Sequence, residues 1–273
     1  MKTSIEQLQR DANSIRRAII NVACDAPVDG VHLGSALSMT EIAVALYGEV
    51  MRYNPQDMAS YQRDRFLLSK GHAALCLYTT LHHYGVLCDE QLATFDCNGS
   101  LFPALTPMHP RLGIDFAGGS LGHGVGYASG MALAQRLRGE SWKHFIVLGD
   151  GECNEGSVWE SAFFAAQQKL DNLVAIVDRN GFQSDWSCQQ TLAMDLPALW
   201  AASGWQVEEI DGHDIAALLN ALATPTDGRP KAIVANTVKG KGVSFMENNN
   251  AYHRAKLSAA QRDTALTELE ANV

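Results

Sequence analysis

The sequence has little of what marks membrane, secreted or nucleic-acid-binding proteins. No apolar run approaches the roughly 20 residues that a bilayer-spanning helix needs, and the charged N-terminal segment lacks the apolar core of a signal peptide. Basic residues are few, with 21 Lys and Arg against 30 Asp and Glu and a net charge of −9. This balance argues against a general nucleic-acid binder, which needs a basic face. We therefore expect a cytoplasmic chain that binds neither membranes nor nucleic acid.

Paired cysteine motifs are also missing. None of the six cysteines forms a C-x-x-C pair or a short Cys/His cluster with zinc spacing, so reduced thiols are expected. The 273 residues are 47% hydrophobic and 19% charged, which is enough for a large core. No repeat, low-complexity tract or linker divides the sequence. We expect a single domain over residues 1–273.

Along the middle of the chain, apolar runs alternate with segments whose apolar residues have helical spacing. Residues 144–148 and 173–177 are runs of the buried parallel-strand type, and the stretch between them has the spacing of a helix. A strand, helix and strand in this order almost always form a right-handed crossover between two parallel strands. The pattern recurs with strands at 206–210 and 232–236 around a helix at 215–223. The fold class predicted is α/β, a doubly wound, mostly parallel sheet with helices on both faces.

One helix start is predicted from its capping residues. Ser38 is a good N-cap, and Glu41 stands three positions later, as in a capping box. A helix is therefore expected to begin directly after Ser38.

Two polar residues are predicted to lie at one edge of the sheet. Asp150 follows the first apolar run and Asn180 the second, and ligands of open parallel sheets bind beyond the carboxyl ends of the strands. If those strands are neighbours, about 4.8 Å apart, the two side chains can converge on one ion. Their oxygen atoms suit Mg²⁺ or Ca²⁺ better than zinc. Gly149 and Gly151 leave the backbone bare, so the Gly151 amide can approach a phosphate oxygen closely. The alternative is a plain turn in which Asp150 caps a helix.

These residues, with Glu155-Gly156, resemble the thiamine diphosphate signature, and the motifs around them resemble transketolase. The resemblance runs from about residue 10 to about residue 255 and covers only the diphosphate-binding domain of that family. It implies the N-terminal subunit of a split, two-chain transketolase. The further motifs that carry it are Gly30-Val31-His32-Leu33-Gly34, Asp64-Arg65-Phe66-Leu67-Leu68-Ser69-Lys70-Gly71-His72-Ala73, His109-Pro110, Gly118-Gly119-Ser120-Leu121-Gly122-His123-Gly124 and Lys239-Gly240-Lys241-Gly242.

The resemblance implies a cofactor site with thiamine diphosphate and Mg²⁺, for which Ca²⁺ or Mn²⁺ can substitute. The metal would be held by Asp150, by the side chain of Asn180 and by the backbone carbonyl of Phe182. The residues implied to contact the cofactor itself are His72, Gly119, Ser120, Leu121, Gly151, Asn180 and His253.

The resemblance also implies catalytic roles. His32 and His109 would line the substrate channel, and His253 would reach both the diphosphate and the substrate. Glu155 would be a buried carboxylate where the chain associates with a second copy. The remaining histidines, His213 among them, are expected to be surface or hydrogen-bonded residues.

The implied reaction moves a two-carbon ketol unit from a phosphorylated ketose to an aldose. Activity would require a C-terminal transketolase subunit carrying the pyrimidine-binding domain, and two copies of each chain would form a heterotetramer. The sequence departs from the family at Arg179, at Trp186 and at Arg254, which stands where glycine usually follows the equivalent of His253.

Two other interpretations remain open. Residues 118–122 fit the G-x-S-x-G elbow of a serine α/β-hydrolase, with Ser120 as its nucleophile, although a poor strand precedes them. Alternatively, the chain is a catalytically silent scaffold with a thiamine diphosphate-domain fold. A dinucleotide fold fails, because Tyr127 or Ser129 stands where the last glycine of G-x-G-x-x-G is required.

Overall fold

The structure is a computed structural model that describes residues 3–271, and within them five parallel strands form one sheet. The order across the sheet is β1-β2-β3-β5-β4, and every neighbouring pair is parallel. The predicted fold class is therefore confirmed. The strands are β1 (Arg65–Leu68), β2 (His144–Gly149), β3 (Leu173–Arg179), β4 (Gln206–Asp211) and β5 (Lys231–Asn236).

Helices connect the strands and cover both faces of the sheet, as right-handed crossovers between parallel strands require. Short 3-10 turns, including Gly71–Ala73 and Gly151–Asn154, follow strand ends. The helices are α1 (Ile5–Asp25), α2 (Leu33–Ser38), α3 (Thr40–Ala45), α4 (Ala74–His83), α5 (Asp89–Leu92), α6 (Gly124–Leu137), α7 (Gly156–Gln167), α8 (Cys188–Thr191), α9 (Leu196–Ala202), α10 (Ile215–Ala223) and α11 (Ala259–Ala271).

The core lies in two apolar layers, one on each face of the sheet. Alternate residues of a strand point to opposite faces, so Phe145 and Val147 of β2 join one layer while Ile146 and Leu148 join the other. Helices α1, α3, α4, α10 and α11 cover the first face, and α6, α7 and α9 cover the second. Burial on both faces explains why the strands read as continuous apolar runs.

The predicted capping box is wrong. Helix α3 begins at Thr40 after Met39, and no side chain caps it. The Ser38 hydroxyl instead donates to Asp178 Oδ2 at 2.6 Å, and Glu41 forms an ion pair with Arg16 at 2.6 Å. Both residues are used by tertiary contacts that a local pattern cannot reveal.

The structure bears on two features that the sequence lacks, a membrane-spanning helix and paired cysteines. No helix within residues 3–271 is long and apolar enough to cross a membrane. All six cysteines are free thiols. The cytoplasmic location stays a prediction.

Candidate functional site

The turn after β2 is tied directly to the loop after β3. The two strands are neighbours, with Gly149 in register with Asp178. The carboxylate of Asp150 accepts from the Gly151 amide at 2.8 Å and from the Gly181 amide at 2.6 Å. The sheet edge therefore brings Asp150 to the loop that carries Asn180, as the strand pattern predicts. Burial raises the pKa of Asp150, which loses favourable hydration of its charged form.

A fully buried carboxylate orients the amide of Asn180. Asn180 Nδ2 donates to Asp178 Oδ2 at 3.3 Å, which leaves Asn180 Oδ1 on the opposite side, where it accepts from the Phe182 amide at 3.2 Å. Asp178 is itself held by an ion pair with Lys70 and by the hydroxyl of Ser38. Its burial would raise the pKa of Asp178, but the charge of Lys70 together with the hydrogen bonds from Lys70, Ser38 and Thr237 outweighs that effect, and the pKa is lowered.

The oxygen atoms at this edge fit a magnesium ion that also binds phosphate. Asp150 offers a carboxylate, and Asn180 offers an amide oxygen whose orientation is fixed because the amide nitrogen of the same side chain donates to Asp178. No group of three or more His, Cys, Asp or Glu side chains that could hold a metal occurs in residues 3–271. Mg²⁺ commonly uses one or two carboxylates and completes its octahedron with water and phosphate oxygens. The donor set therefore suits Mg²⁺ with a diphosphate and is too small for a cage built from side chains alone.

Three of the four predicted histidines form one cluster beside this loop. The ring centroids of His32 and His72 lie 5.6 Å apart, those of His32 and His253 lie 5.3 Å apart, and those of His72 and His253 lie 5.8 Å apart. Their spacing along the sequence gives no sign of this, so only the family resemblance predicted that they act together. Burial lowers the pKa of all three, and that of His253 falls to about 4. The cluster is therefore a set of neutral imidazoles at neutral pH.

Lys239 is a functional candidate to which the sequence analysis assigned no role. Its ammonium donates to the Gln183 carbonyl at 2.7 Å, to Asn250 Oδ1 at 2.8 Å and to His253 Nδ1 at 3.1 Å. The side chain is buried, yet none of its hydrogen-bond partners within the described residues is a carboxylate. Burial, helped by the charge of Lys70, lowers the pKa of Lys239 to about 8. A buried cation without a carboxylate partner is costly on its own and favours binding of an anion.

The glycine-rich loop at residues 118–124 meets the end of β1 backbone to backbone. A Cβ on Gly118 would lie 2.4 Å from the Gly71 Cα atom, and one on Gly71 would lie 2.6 Å from the Gly118 Cα atom. Only glycine at both positions permits this approach. The contact places the loop, with Gly119 and Ser120 exposed and Leu121 half-buried, beside the segment that carries His72.

Glu152 holds the loops of the site together and was also missed. Its buried carboxylate accepts from the Ser69 hydroxyl after β1, from the Gly122 amide at 2.9 Å and from the Gly149 amide at 3.2 Å. Burial raises the pKa of Glu152 against the lowering effect of these donors. One side chain therefore links the segment of His72, the glycine-rich loop and the turn of Asp150.

The remaining predicted residues lie apart from the histidine cluster. His109 is half-buried and pairs with Ile114, donating its amide to the Ile114 carbonyl at 2.8 Å. Its ring takes no part in the contacts among the three histidines in the described part of the chain. Glu155 is exposed at the start of α7, and its side chain packs against Gly122, where an added Cβ would lie 2.6 Å from the Glu155 Cβ. An interface at Glu155 stays a prediction.

Arg179 and Trp186, two departures from the family pattern, lie near Asn180 in the sequence but do not contact its side chain by hydrogen bonds among the described residues. Arg179 points to the sheet edge, where it pairs with Glu209 at 2.8 Å. Trp186 is 64% exposed, and its carbonyl accepts from the Gln183 amide at 2.9 Å. Neither side chain forms a hydrogen bond to Asp150 or Asn180 within residues 3–271.

The hydrolase alternative fails on local structure. A nucleophile elbow needs a strand directly before its serine, but the five residues before Gly118 form no regular strand and Ser120 lies on an exposed loop.

Comparisons with known proteins agree with this geometry. The family model described as "Transketolase, thiamine diphosphate binding domain" matches residues 9–270. A solved transketolase from Campylobacter jejuni superposes with a TM-score of 0.91 and 29% identity, over 98% of this chain and 43% of that one. The chain thus spans less than half the length of that solved protein.

Two curated relatives are matched over nearly their whole length, and each is named as one subunit of a transketolase. The relative from the apulose-4-phosphate transketolase of Actinobacillus succinogenes is 36% identical over 269 residues, which cover 98% of this chain and 97% of the relative. The 6-deoxy-6-sulfo-D-fructose transketolase subunit SqwG of Clostridium sp. (strain MSTE9) is 38% identical over 266 residues, 96% of each chain.

Proposed function

The chain belongs to the transketolase thiamine diphosphate-binding family, and from this premise we propose that it is the N-terminal subunit of a two-chain transketolase. Its reaction is the transfer of a two-carbon ketol unit from a phosphorylated ketose to an aldose, with thiamine diphosphate and Mg²⁺. The predicted family and the predicted enzyme class are confirmed by the comparisons. The exact reaction, the metal and the partner are the proposal.

One observation carries the proposal: the carboxylate of Asp150 and the amide oxygen of Asn180 lie next to a buried cation and three neutral histidines. Lys239 joins the two halves, since its ammonium bonds both the Gln183 carbonyl, in the loop that follows Asn180, and His253 in the cluster. A diphosphate with a bound divalent ion needs both halves, because the ion requires oxygen ligands and the phosphate oxygens require donors. A bound divalent ion and the buried cation of Lys239 supply local positive charge, so a chain of net charge −9 can still bind an anion.

Residues at the carboxyl edge of the sheet bind different parts of the cofactor and its metal. Asp150, Asn180 and the Phe182 carbonyl hold Mg²⁺. The Gly151 amide, His72, His253 and Lys239 donate to the diphosphate, while Gly119, Ser120 and Leu121 border the rings of the cofactor. When bound, thiamine diphosphate supplies the carbon nucleophile and the electron sink that carbon–carbon cleavage beside a ketone requires.

The histidines orient the sugar and handle protons at the substrate. His32 and His109 donate to hydroxyl and carbonyl oxygens of the ketose, and His253 is the candidate for proton transfer. With a pKa of about 4, His253 is neutral at neutral pH, and because Nδ1 accepts from Lys239, its Nε2–H can donate to a substrate oxygen. The two relatives are named for substrates with a phosphate or a sulfonate group, which supports an anionic sugar as the substrate.

A second chain is needed to complete the site. The match covers 97% of a relative that is named as a subunit but only 43% of a solved transketolase chain. We propose that a C-terminal subunit supplies the pyrimidine-binding domain and closes over Gly119 and Ser120, which are exposed here. Self-association near Glu155 brings two such pairs together as a heterotetramer.

The proposal is tested by assaying ketose cleavage with and without a partner. The purified chain, with saturating Mg²⁺ and thiamine diphosphate, is compared with the same chain mixed with a candidate C-terminal subunit, against a panel of ketose and aldose phosphates. We expect no transfer by the chain alone and cofactor-dependent transfer by the pair. Full turnover without a partner would refute the two-chain assignment.

A further inference from the structure

Arg254 lies directly across from His32. Val31 and Ala255 form an isolated antiparallel bridge, with amide-to-carbonyl distances of 2.9 and 3.0 Å in the two directions. In an antiparallel pair, the residues that flank a bridge on the same side oppose each other. Arg254 therefore opposes His32, and the charge of Arg254 helps burial to lower the pKa of His32.

The backbone at Gly30 makes room for the arginine. A Cβ on Gly30 would lie 3.3 Å from Arg254 Cγ, and the positive φ of Gly30, +151°, also disfavours a side chain there. The aliphatic stem of Arg254 can therefore lie against the backbone before His32. A stem that lies against this backbone loses less entropy when its guanidinium binds a ligand.

The guanidinium of Arg254 has no ionic partner in residues 3–271. Some arginines at the surface form ion pairs, as Arg179 does with Glu209 and Arg229 with Asp227. Arg254 is exposed and forms no such pair among the described residues. Its neighbour Lys256 differs, because its ammonium donates to two carbonyls of the segment after α1, at 2.7 and 3.0 Å. The segment therefore carries one cation, Lys256, that is hydrogen-bonded within the chain, and one, Arg254, that has no ionic partner in the described residues and can bind a ligand.

We propose that Arg254 is a specificity-determining residue that binds the anionic group of the sugar substrate, a phosphate or a sulfonate, beside His32. The proposal rests on the proposed function, which places His32 in the substrate channel. A guanidinium can donate two parallel hydrogen bonds to a tetrahedral oxyanion, and an arginine fixed by packing does so with better geometry than a lysine. This chain therefore contributes a contact to the charged end of the substrate.

Three variants test the proposal in the complex with the partner subunit. Arg254→Ala should raise KM for a ketose phosphate about tenfold or more, with kcat within about twofold, and leave KM for the same ketose without phosphate unchanged. Arg254→Lys should give an intermediate KM. Lys256→Ala, which removes one charge from the same segment, is the matched control and should change neither substrate. A sulfonated ketose, assayed in parallel, shows which oxyanion is preferred.

Two results would overturn the proposal: an unchanged KM in Arg254→Ala, or equal effects on the charged and neutral ketoses. If the wild-type complex transfers no ketol unit at all, the proposed function fails separately. Binding of the ketose phosphate to the wild-type and Arg254→Ala complexes, followed by phosphorus NMR, then decides the role of Arg254. Weaker binding by the variant supports it, and equal binding refutes it.

Discussion

Lys239 Nζ lies 3.1 Å from His253 Nδ1. Because an ammonium can only donate hydrogen bonds, Nδ1 is the acceptor and the single proton of the neutral ring is on Nε2. Burial and the charge of Lys239 lower the pKa of His253 to about 4, so the ring stays neutral at pH 7. The pair therefore presents one cation and one fixed N–H donor to an anion that enters the site.

The first prediction concerns the charge of Lys239. Lys239→Met should weaken binding of thiamine diphosphate with Mg²⁺ about tenfold or more, because it removes the buried cation. Lys239 has a pKa of about 8, and a bound diphosphate raises it, so binding by the wild-type chain should take up protons near pH 8. Calorimetry in buffers of different ionisation enthalpy measures both quantities.

A second variant, Lys239→Arg, separates the loss of affinity from the loss of proton uptake. Lys239→Arg keeps a charge that does not titrate in proteins, so this variant should retain most of the affinity but lose the proton uptake. Proton uptake that persists in Lys239→Arg would assign it to other groups, such as the histidines. Normal affinity in Lys239→Met would contradict the role of Lys239 in diphosphate binding.

The second prediction concerns the metal. Asp150→Ala should abolish Mg²⁺-dependent binding of thiamine diphosphate, since it removes the one charged ligand of the proposed ion. Asp150→Asn should weaken binding less, because an oxygen ligand remains. Asp185→Ala, which removes an exposed carboxylate from the loop that carries Asn180, is the control and should bind normally. Titration of the partnered complex with Mg²⁺ decides, and unchanged affinity in Asp150→Ala would remove this assignment.

The sheet, and the position of Asp150 and Asn180 at one of its edges, could be predicted because their signals are local. An apolar run followed by Asp150, and a second run followed by Asn180, are visible within a short stretch of sequence, and the rule for parallel sheets brings their ends together. The structure confirms that β2 and β3 are neighbours.

The rest of the site could not be predicted because it depends on distant partners. Glu152 bonds Ser69, 83 positions away, and Lys239 bonds Gln183, 56 positions away. No periodicity marks either residue. The wrong capping box has the same cause, since Ser38 reaches Asp178, 140 positions away, in place of its own helix.

The third prediction concerns association through Glu155. This side chain is exposed and caps no backbone amide of α7, while Tyr127 of α6 and Phe163 of α7 are also exposed. Glu155→Ala should therefore leave the melting temperature of the chain unchanged but weaken self-association and lower turnover. Glu90→Ala, an exposed glutamate of α5, is the control. Sedimentation velocity measures the assembly, and normal association with normal turnover would contradict the interface.

The fourth prediction concerns stability against pH. Buried Glu41 accepts from Arg16 at 2.6 Å and from His213 at 3.0 Å. Burial alone would raise the pKa of Glu41, but the charge of Arg16 together with the hydrogen bonds from Arg16 and His213 outweighs burial and lowers the pKa to about 2. Because the folded pKa lies below the unfolded value near 4.5, the stabilisation is complete above pH 4.5 and is lost as the pH falls toward 2.

Glu41→Gln should thus lower the free energy of unfolding by about 3 kcal/mol at pH 7, because it leaves Arg16 buried without its counter-charge. The difference from the wild type should shrink between pH 4.5 and pH 2, where Glu41 becomes protonated in the folded wild type. Urea unfolding at several pH values measures this difference, with the exposed Glu160→Gln as the control. A difference that does not change with pH would show that the ion pair is not its source.

The last prediction concerns Glu152, which bonds three segments of the site at once. Glu152→Ala should free the glycine-rich loop, because the Gly122 amide and the Ser69 hydroxyl lose their acceptor. In the proposed site, thiamine diphosphate contacts this loop through its rings, whereas pyrophosphate with Mg²⁺ would need only the turn of Asp150, Lys239 and the histidine cluster. The variant should therefore bind thiamine diphosphate about tenfold more weakly and bind pyrophosphate nearly as well as the wild type. Glu152→Gln, which keeps one acceptor oxygen for Ser69 and Gly122, should restore most of the affinity for thiamine diphosphate. Equal losses for both ligands would mean that Glu152 supports the fold as a whole and does not position the loop.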